Sequence, residues 1–157
     1  NNYNHGIDAI DPQRINGMFE LHPLLEKDCY IIGRFPLCAL LLMNDVHYSW
    51  FILVPERQGA SETFQLSEQD QHQLIRESSY LSEHLALCFD ADKMNVAALG
   101  NIVPQLHIHH VVRYVADAAW PAPVWGKVPP RPYADEEISN IIKKLKLYLT
   151  QSFSFNV

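Results

Sequence analysis

The stretch "PQLHIHH", residues 104–110, places three of the chain's eight histidines within four positions. It lies inside "LGNIVPQLHIHHVVRY", residues 99–114, in which most of the other side chains are apolar. Such a run is typical of a β-strand that packs on a hydrophobic core. Burying imidazoles there costs free energy unless they find partners, so their presence calls for a chemical reason.

The spacing of these polar residues indicates a functional face. Alternate side chains of a strand point to the same side, so Gln105, His107 and His109 share one face. His110 points to the opposite, apolar face, where we expect packing or an edge contact. Buried amides and imidazoles need hydrogen-bond partners, and a ligand cleft beside the first face would supply them.

Two imidazoles on one face suit chemistry at phosphorus. A neutral ring nitrogen can attack phosphorus when the other ring N–H is held by an acceptor. A second, protonated imidazole can neutralise phosphate oxygens or protonate the leaving group. We therefore predict that His107 is the nucleophile, that His109 is a phosphate ligand and proton donor, and that Gln105 is an orienting hydrogen-bonding residue.

Two other interpretations of this face stay open. The histidines could be ordinary side chains on a sheet surface, or His107 and His109 could chelate zinc. Zinc sites usually add a carboxylate or thiolate, however, and this strand contains none. We therefore assign no metal ligand.

The remaining sequence predicts an α+β domain built on an antiparallel sheet. Strands are expected within residues 30–45, 48–55, 94–99 and 105–114, with the tail as a possible added strand. A short helix is expected over 18–27, a helix of about 20 residues after the capping residue Ser67, and a last helix from about Asp135.

Composition limits the compartment and the partners. With 48% hydrophobic residues, the 157-residue chain can bury the core of one domain. The net charge of −6 argues against nucleic acid or an anionic membrane as a partner, but not against a small anion at a local site. The three cysteines form no CxxC pair, and no signal-peptide pattern opens the chain, although it also lacks an initiator Met. We expect a cytoplasmic protein.

Four stretches resemble the histidine triad (HIT) family. "QLHIHHVV" (105–112) is similar to the signature His-φ-His-φ-His-φ-φ, where φ is apolar. "LCALLLMNDVHYSWFILVP" (37–55) looks like the upstream hairpin of that family, "LGNIVP" (99–104) like the turn before the triad, and "AWPAPVWG" (119–126) like the Trp/Pro-rich segment of some branches.

The resemblance implies a five-stranded antiparallel sheet with two main helices, usually paired as a homodimer. It implies a polar arm over 1–17, the HIT-like domain over 18–126, and a C-terminal segment over 127–157 that packs on the same domain. Family members act as nucleotide hydrolases or transferases at an α-phosphate through a nucleotidyl-histidine.

Carried over by position, the resemblance makes His107 the central histidine and His109 the last one. It implies that Asn44 contacts the ribose and that Asn101 contacts phosphate. Trp120 and Trp125 could stack on a base or pack inside the protein, and packing is the interpretation that we favour.

Two positions depart from the family pattern. Gln105 stands where the triad has its first histidine, and Trp50 stands where the upstream hairpin carries a further histidine. Glutamine can donate and accept hydrogen bonds but cannot be protonated. Trp50 either alters the polar support behind the nucleophile or shapes a nucleotide-binding pocket.

The expected function is therefore hydrolysis or transfer at a phosphoanhydride or phosphoramidate bond of a purine nucleotide, such as a dinucleoside polyphosphate. The residues require no cofactor, although Mg²⁺ could accompany a polyphosphate substrate. A nucleotide-binding regulatory module with little turnover is the alternative, because Gln105 and Trp50 change the pattern of the site.

The glutamine generates a first prediction. Restoring histidine by Gln105→His is expected to change the pH profile of turnover more than the affinity, because it adds a group that titrates near neutral pH. Steady-state kinetics across a pH series checks this. An unchanged profile would show that glutamine already performs the role of that position.

Overall fold

The computed structural model describes residues 19–156, which form one six-stranded antiparallel sheet with helices on both faces. The elements in chain order are α1 (Pro23–Asp28), β1 (Cys29–Arg34), β2 (Cys38–Met43), β3 (Ser49–Pro55), a 3₁₀ turn (Thr63–Gln65), α2 (Glu68–Phe89), β4 (Lys93–Ala98), β5 (Ile108–Arg113), α3 (Asp135–Lys146) and β6 (Ser154–Phe155). The strand order is β4-β5-β3-β2-β1-β6. The predicted α+β class and antiparallel sheet are confirmed.

The two faces of the sheet pack against different layers. On the first face, Leu40 and Leu42 of β2 join Leu81 and Leu85 of α2 and Ile138 of α3 in one hydrophobic cluster. Because side chains alternate along a strand, the neighbouring residues of the same strands face the other way. Both faces are covered, so β2 and β3 appear in the sequence as continuous apolar runs rather than as alternating patterns.

The second face carries the smaller cluster. Leu41 and Trp50 pack there with Leu25 of α1 and with Val124 of the proline-rich segment. Val111 of β5 also faces this side, whereas Val112 faces the first cluster. The odd-numbered residues of β5 therefore point towards α1 and residues 119–128.

The long helix α2 matches the sequence expectation. Ser67 is its N-cap, and the Ser67 hydroxyl oxygen accepts the backbone N–H of Asp70 at 3.1 Å. The helix ends at Phe89, and Asp90 adopts the left-handed conformation with φ of 50°. Leu74, Leu81 and Leu85 are buried on the face that was predicted to pack.

Element bounds differ from prediction in three places. The stretch 30–45 is split into β1 and β2 by a turn around Pro36, which has no N–H to give to a ladder. Helix α1 begins only at Pro23, after the N-cap His22, and β5 begins at Ile108, where its pairing with Leu53 of β3 ends. The predicted arm over 1–17 lies outside the described residues.

The tail forms the sixth strand, one more than the family resemblance implied. β6 pairs with β1 through Gly33 and Arg34, and the Asn156 N–H donates to the Ile32 carbonyl at 3.0 Å. Helix α3 and the segment after it pack against the larger hydrophobic cluster through Ile138, Leu145 and Leu149. None of the helices within residues 19–156 combines the length and the apolar character needed to cross a membrane.

The docking of β6 generates a prediction at Gly33. A Cβ added there would lie 2.2 Å from the Ser154 carbonyl oxygen and 2.7 Å from Cζ of Phe153, so backbone would have to move. Gly33→Ala is expected to lower the free energy of unfolding by about 1–3 kcal/mol, as overpacking does. Urea denaturation checks the magnitude, and hydrogen exchange at the Asn156 amide checks the location.

Ser154→Ala is the matched control, because it removes an exposed side chain but keeps the paired backbone. We expect it to leave the Asn156 amide protected. Protection that also persists in Gly33→Ala would contradict the close approach of the two strands.

Candidate active site

Strand β5 and His107, the residue before it, present two histidines on one face and the third on the other. The ring centroids of His107 and His109 lie 4.8 Å apart at 72°, on the side of the smaller cluster. His110 points into the larger cluster, where its Nε2 lies 2.7 Å from the Ser78 hydroxyl of α2. The alternation predicted for these residues is therefore what the backbone produces.

His107 has one ring nitrogen fixed and the other without a protein partner. Its Nδ1 lies 2.7 Å from the Gln105 carbonyl oxygen, which can only accept, so Nδ1 carries the proton. Nε2 then holds a lone pair, and within residues 19–156 it makes no hydrogen bond. Burial lowers the pKa of His107 despite the opposing hydrogen bond to Gln105, and the nearby His22 lowers it further. This ring is therefore oriented by its hydrogen bond to Gln105 and favours the neutral form.

His109 is held by Trp50. The Trp50 indole N–H donates to Nδ1 of His109 at 2.9 Å, and both side chains are buried. Burial, followed by the proximity of His107, lowers the pKa of His109 to about 4, and a hydrogen bond to the Leu99 backbone opposes that shift. At neutral pH this ring is uncharged, in contrast to the protonated role expected from the sequence.

His110 is a structural residue. Its Nδ1 donates to the Ile108 carbonyl oxygen at 3.0 Å, and Ser78 completes the pairing at Nε2. The side chain is fully buried, and burial lowers its pKa to about 4. The packing role expected for His110 agrees with these contacts.

Two cavities meet at His107. The first, which we call the apolar cavity, measures about 320 Å³ and is lined by Leu24, Leu25, Met43 and Trp125 together with both histidines. The second, the polar cavity, measures about 330 Å³ and is lined by Ser61, Glu62, Gln105 and His107 among others. Asn101 and Leu99 border both cavities. The nucleophile candidate thus lies at a junction rather than in a sealed interior.

Both polar groups of the Gln105 side-chain amide are hydrogen-bonded to the backbone of the segment that precedes α1. Its carbonyl oxygen accepts the His22 N–H at 2.8 Å, and its NH₂ donates to the Glu20 carbonyl at 2.8 Å. These two bonds anchor the segment that precedes α1. Because α1 forms a wall of the apolar cavity, Gln105 supports that wall while its own backbone carbonyl orients His107.

The three predicted nucleotide-binding residues lie in three different environments. Asn101 is exposed where the cavities meet. The Asn44 side-chain oxygen accepts the Tyr133 N–H at 2.8 Å, which ties the proline-rich segment to the end of β2, and its neighbour Met43 lines the apolar cavity. Trp50 lies beneath His109, so the structure assigns it to support rather than to the cavity wall.

Among the cavity-lining residues, Asp28 was missed by sequence reasoning, whereas Trp125 was named there with packing as the favoured role. Asp28, the last residue of α1, puts a carboxylate on the wall of the apolar cavity, and Trp125 packs edge-to-face on His109 at 5.0 Å and on Trp50 at 5.6 Å while lining that cavity. Asp28 lies far upstream of the histidines, and its local sequence gives no indication that it would line a cavity with them. Trp125 was assigned to packing, and it both packs and faces the cavity.

No group of three or more His, Cys, Asp or Glu side chains that could hold a metal ion occurs among the described residues. Cys38 and Cys88 are buried, and burial raises the pKa of both thiols. Burial also raises the pKa of Cys29 to about 12. These thiols therefore stay protonated and are poor nucleophiles.

Comparison with protein-family models identifies a HIT domain over residues 25–116. The chain belongs to the histidine triad family. Members of this family are generally nucleotide hydrolases or transferases. The match includes β3, which carries Trp50, and residues 105–113, which carry Gln105, His107 and His109.

Solved structures agree with this assignment. A histidine triad protein from Marinobacter aquaeolei VT8 is 51% identical, with 87% of this chain and 99% of that chain covered and a TM-score of 0.84. A histidine triad protein from Bradyrhizobium japonicum is 43% identical, covering 83% and 98% of the two chains with a TM-score of 0.81. One from Sinorhizobium meliloti 1021 is 40% identical, covering 83% and 97% with a TM-score of 0.82. A comparison with curated proteins gave no match.

The buried rings generate a prediction about acid stability of this histidine triad protein. His109 and His110 have pKa values of about 4 in the folded chain, against about 6.5 for an unfolded histidine. Their neutral forms therefore favour folding above about pH 6.5, and this stability is lost as pH falls towards 4. We expect roughly 2–3 kcal/mol of lost unfolding free energy for each ring between about pH 7.5 and 4.5.

Urea denaturation at both pH values measures this loss. His110→Gln should make the pH dependence shallower, whereas the same change at the exposed His72 should leave it as in the wild type. Equal pH dependence in the wild type and His110→Gln would argue against a buried neutral ring at that position.

Proposed function

We propose that this protein is a nucleotide hydrolase or transferase that cleaves a phosphoanhydride or phosphoramidate bond at the α-phosphate of a purine nucleotide. The observation that carries the proposal is the state of His107. Its Nδ1–H is held by the Gln105 carbonyl, and its Nε2, beside two cavities, has no hydrogen-bond partner among residues 19–156. An imidazole in this state is competent to attack phosphorus.

The proposed reaction has two displacements. Nε2 of His107 forms a bond to the α-phosphorus, and the bond from phosphorus to the leaving group breaks with its electron pair on the leaving atom. A water molecule then attacks the same phosphorus, and the P–Nε2 bond breaks with its electron pair returning to Nε2. The nucleoside monophosphate leaves, the proton of the attacking water passes to solvent, and neutral His107 is restored. When substrate binds, the single N–H of His109 exchanges the Leu99 backbone for a phosphate oxygen as its acceptor, and this interaction strengthens as charge develops there.

The two cavities suggest how a substrate is divided. The apolar cavity has the side chains that suit a nucleoside, with Leu25 and Trp125 for the base and the Asp28 carboxylate as an acceptor for a ribose hydroxyl. The polar cavity takes the leaving group. Asn101, which borders both, lies where a phosphate would bridge them.

The negative charge of the cavity walls favours binding of any polyphosphate substrate as its Mg²⁺ complex. Within residues 19–156, the cavity walls contain the carboxylates Asp28 and Glu62 but neither lysine nor arginine. A polyphosphate would enter this site more favourably as a magnesium complex, since the bound ion offsets part of its charge.

A binding module with little turnover is the second candidate. The observation in its favour is that the Gln105 amide is already bonded to residues 20 and 22, so the first triad position supplies no titrating group.

The homodimer also stays a prediction. The outer strand β4 exposes Val96 and pairs on one side only within the described sheet, which leaves an edge at which a second copy could add.

The central test uses His107→Ala. We expect this change to abolish turnover of diadenosine tetraphosphate and of a fluorogenic adenosine phosphoramidate, by at least about 10³-fold as for other nucleophile removals. Intact-protein mass after brief exposure to substrate should show a nucleoside-monophosphate adduct on the wild type and none on His107→Ala.

His72→Ala is the matched control, because it removes an exposed imidazole from α2 and leaves the site intact. It should keep both turnover and the adduct. Near-full activity in His107→Ala would refute the nucleophile assignment, and tight nucleotide binding without product from the wild type would favour the binding module.

A further inference from the structure

Trp50 dictates which nitrogen of His109 carries a proton. An indole N–H is a donor only, so its 2.9 Å hydrogen bond to Nδ1 requires an unprotonated Nδ1. The single ring proton must then sit on Nε2, where the Leu99 backbone is its partner. Adding a second proton to His109 would break the bond to Trp50 and set two N–H groups against each other.

Among residues 19–156, no carboxylate is hydrogen-bonded to His109, and the Leu99 backbone is the one group that opposes the lowering of its pKa. His107 and His110 flank it along β5, the Trp125 ring packs edge-to-face at 5.0 Å, and Trp50 lies at 5.7 Å between ring centroids. The carboxylate that shares the apolar cavity, Asp28, makes no hydrogen bond to His109. His109 is therefore packed among rings, and its burial together with the neighbouring His107 and His110 disfavours a positive charge on it.

We propose that Trp50 is a positioning residue that holds His109 as a neutral hydrogen-bond donor, and that the site therefore favours anhydride substrates over phosphoramidates. This inference rests on the proposed function. It narrows the substrate class to nucleotides whose leaving group departs without needing a proton, such as a phosphate or a carboxylate.

The reason lies in the balance of protons in the first displacement. When a P–O anhydride bond breaks, oxygen keeps the electron pair and leaves as a stable anion. When a P–N bond breaks, the amine nitrogen must receive a proton as it leaves. A neutral imidazole N–H is a good hydrogen-bond donor but a weak acid, so it supports the first reaction and not the second.

Trp50 acts through His109 and does not line either cavity. Trp50→Phe keeps an aromatic ring in the cluster and removes the N–H. His109 can then accept a proton at Nδ1 and become an acid. Trp120→Phe is the matched control, since it makes the same chemical change at a ring that packs on Arg113 rather than on His109.

The first readout is kinetic, with diadenosine tetraphosphate and an alkylamine phosphoramidate of adenosine as paired substrates. We expect the wild type to show the higher kcat/KM on the anhydride by about 10²-fold, the scale of general-acid catalysis. At about pH 6, Trp50→Phe should raise the phosphoramidate-to-anhydride ratio roughly tenfold, since one pKa unit changes the protonated fraction tenfold. Trp120→Phe should leave the ratio unchanged.

The second readout needs no turnover. Long-range ¹H–¹⁵N NMR of the wild type should show His109 as the Nε2–H tautomer, without titration above about pH 5. In Trp50→Phe, the same ring should titrate at higher pH. A wild-type His109 that is protonated at neutral pH, or that carries its proton on Nδ1, overturns the inference even if the variant fails to fold.

The outcomes separate the two proposals. If the wild type cleaves neither substrate, the proposed function fails while NMR still decides the role of Trp50. If the wild type cleaves the phosphoramidate faster, or if Trp50→Phe leaves both the substrate ratio and the His109 titration unchanged, the further inference fails and the proposed function stands.

Discussion

The two-residue period of β5 is the constraint on which the site depends. It sends His107 and His109 to one side of the sheet and His110 to the other, although the three are almost contiguous in the chain. On the α2 side, Ser78 and the Ile108 carbonyl satisfy His110, and the ring becomes part of the core. On the other side, the rings border cavities. A slip of one residue in the pairing of β3 with β5 would exchange these roles.

Within the described residues, burial of the three histidines without a carboxylate partner then determines their protonation state. Each ring of the triad strand is shielded from water and paired with a neutral group: a carbonyl at His107, an indole at His109 and a hydroxyl at His110. Desolvation therefore lowers the pKa of all three, and no carboxylate restores the positive charge. In the proposed reaction, the site would therefore combine a neutral nucleophile with a neutral donor rather than rely on imidazolium.

The scaffold around the site is held by polar groups at its edges. Arg113, at the end of β5, is buried and bonded to Asp117, Asn95 and the Ala122 carbonyl, and its guanidinium lowers the pKa of the Asp117 carboxyl to about 2. These bonds fix the start of the proline-rich segment that brings Trp125 against His109. Asn44 fixes its far end through Tyr133. The aromatic wall of the apolar cavity is thus built by residues distant in sequence.

The sequence by itself determined the α+β class, the long helix after Ser67, the strand that carries the histidines and the face that each histidine takes. These features depend on local periodicity, capping and turn residues, which a sequence displays directly. The resemblance to the histidine triad family, which the comparisons confirmed, extended this to the hairpin of β2 and β3.

Only the tertiary structure decided the partners of these residues. That Gln105 clamps residues 20 and 22, that Trp50 supports His109, and that Asp28 and Trp125 reach the cavity are contacts between segments up to 85 residues apart. Protonation states follow from such contacts, because desolvation and hydrogen bonding act through space. The order of residues along the chain shows which side chains are present, and the fold decides which of them meet and which ring nitrogen keeps its proton.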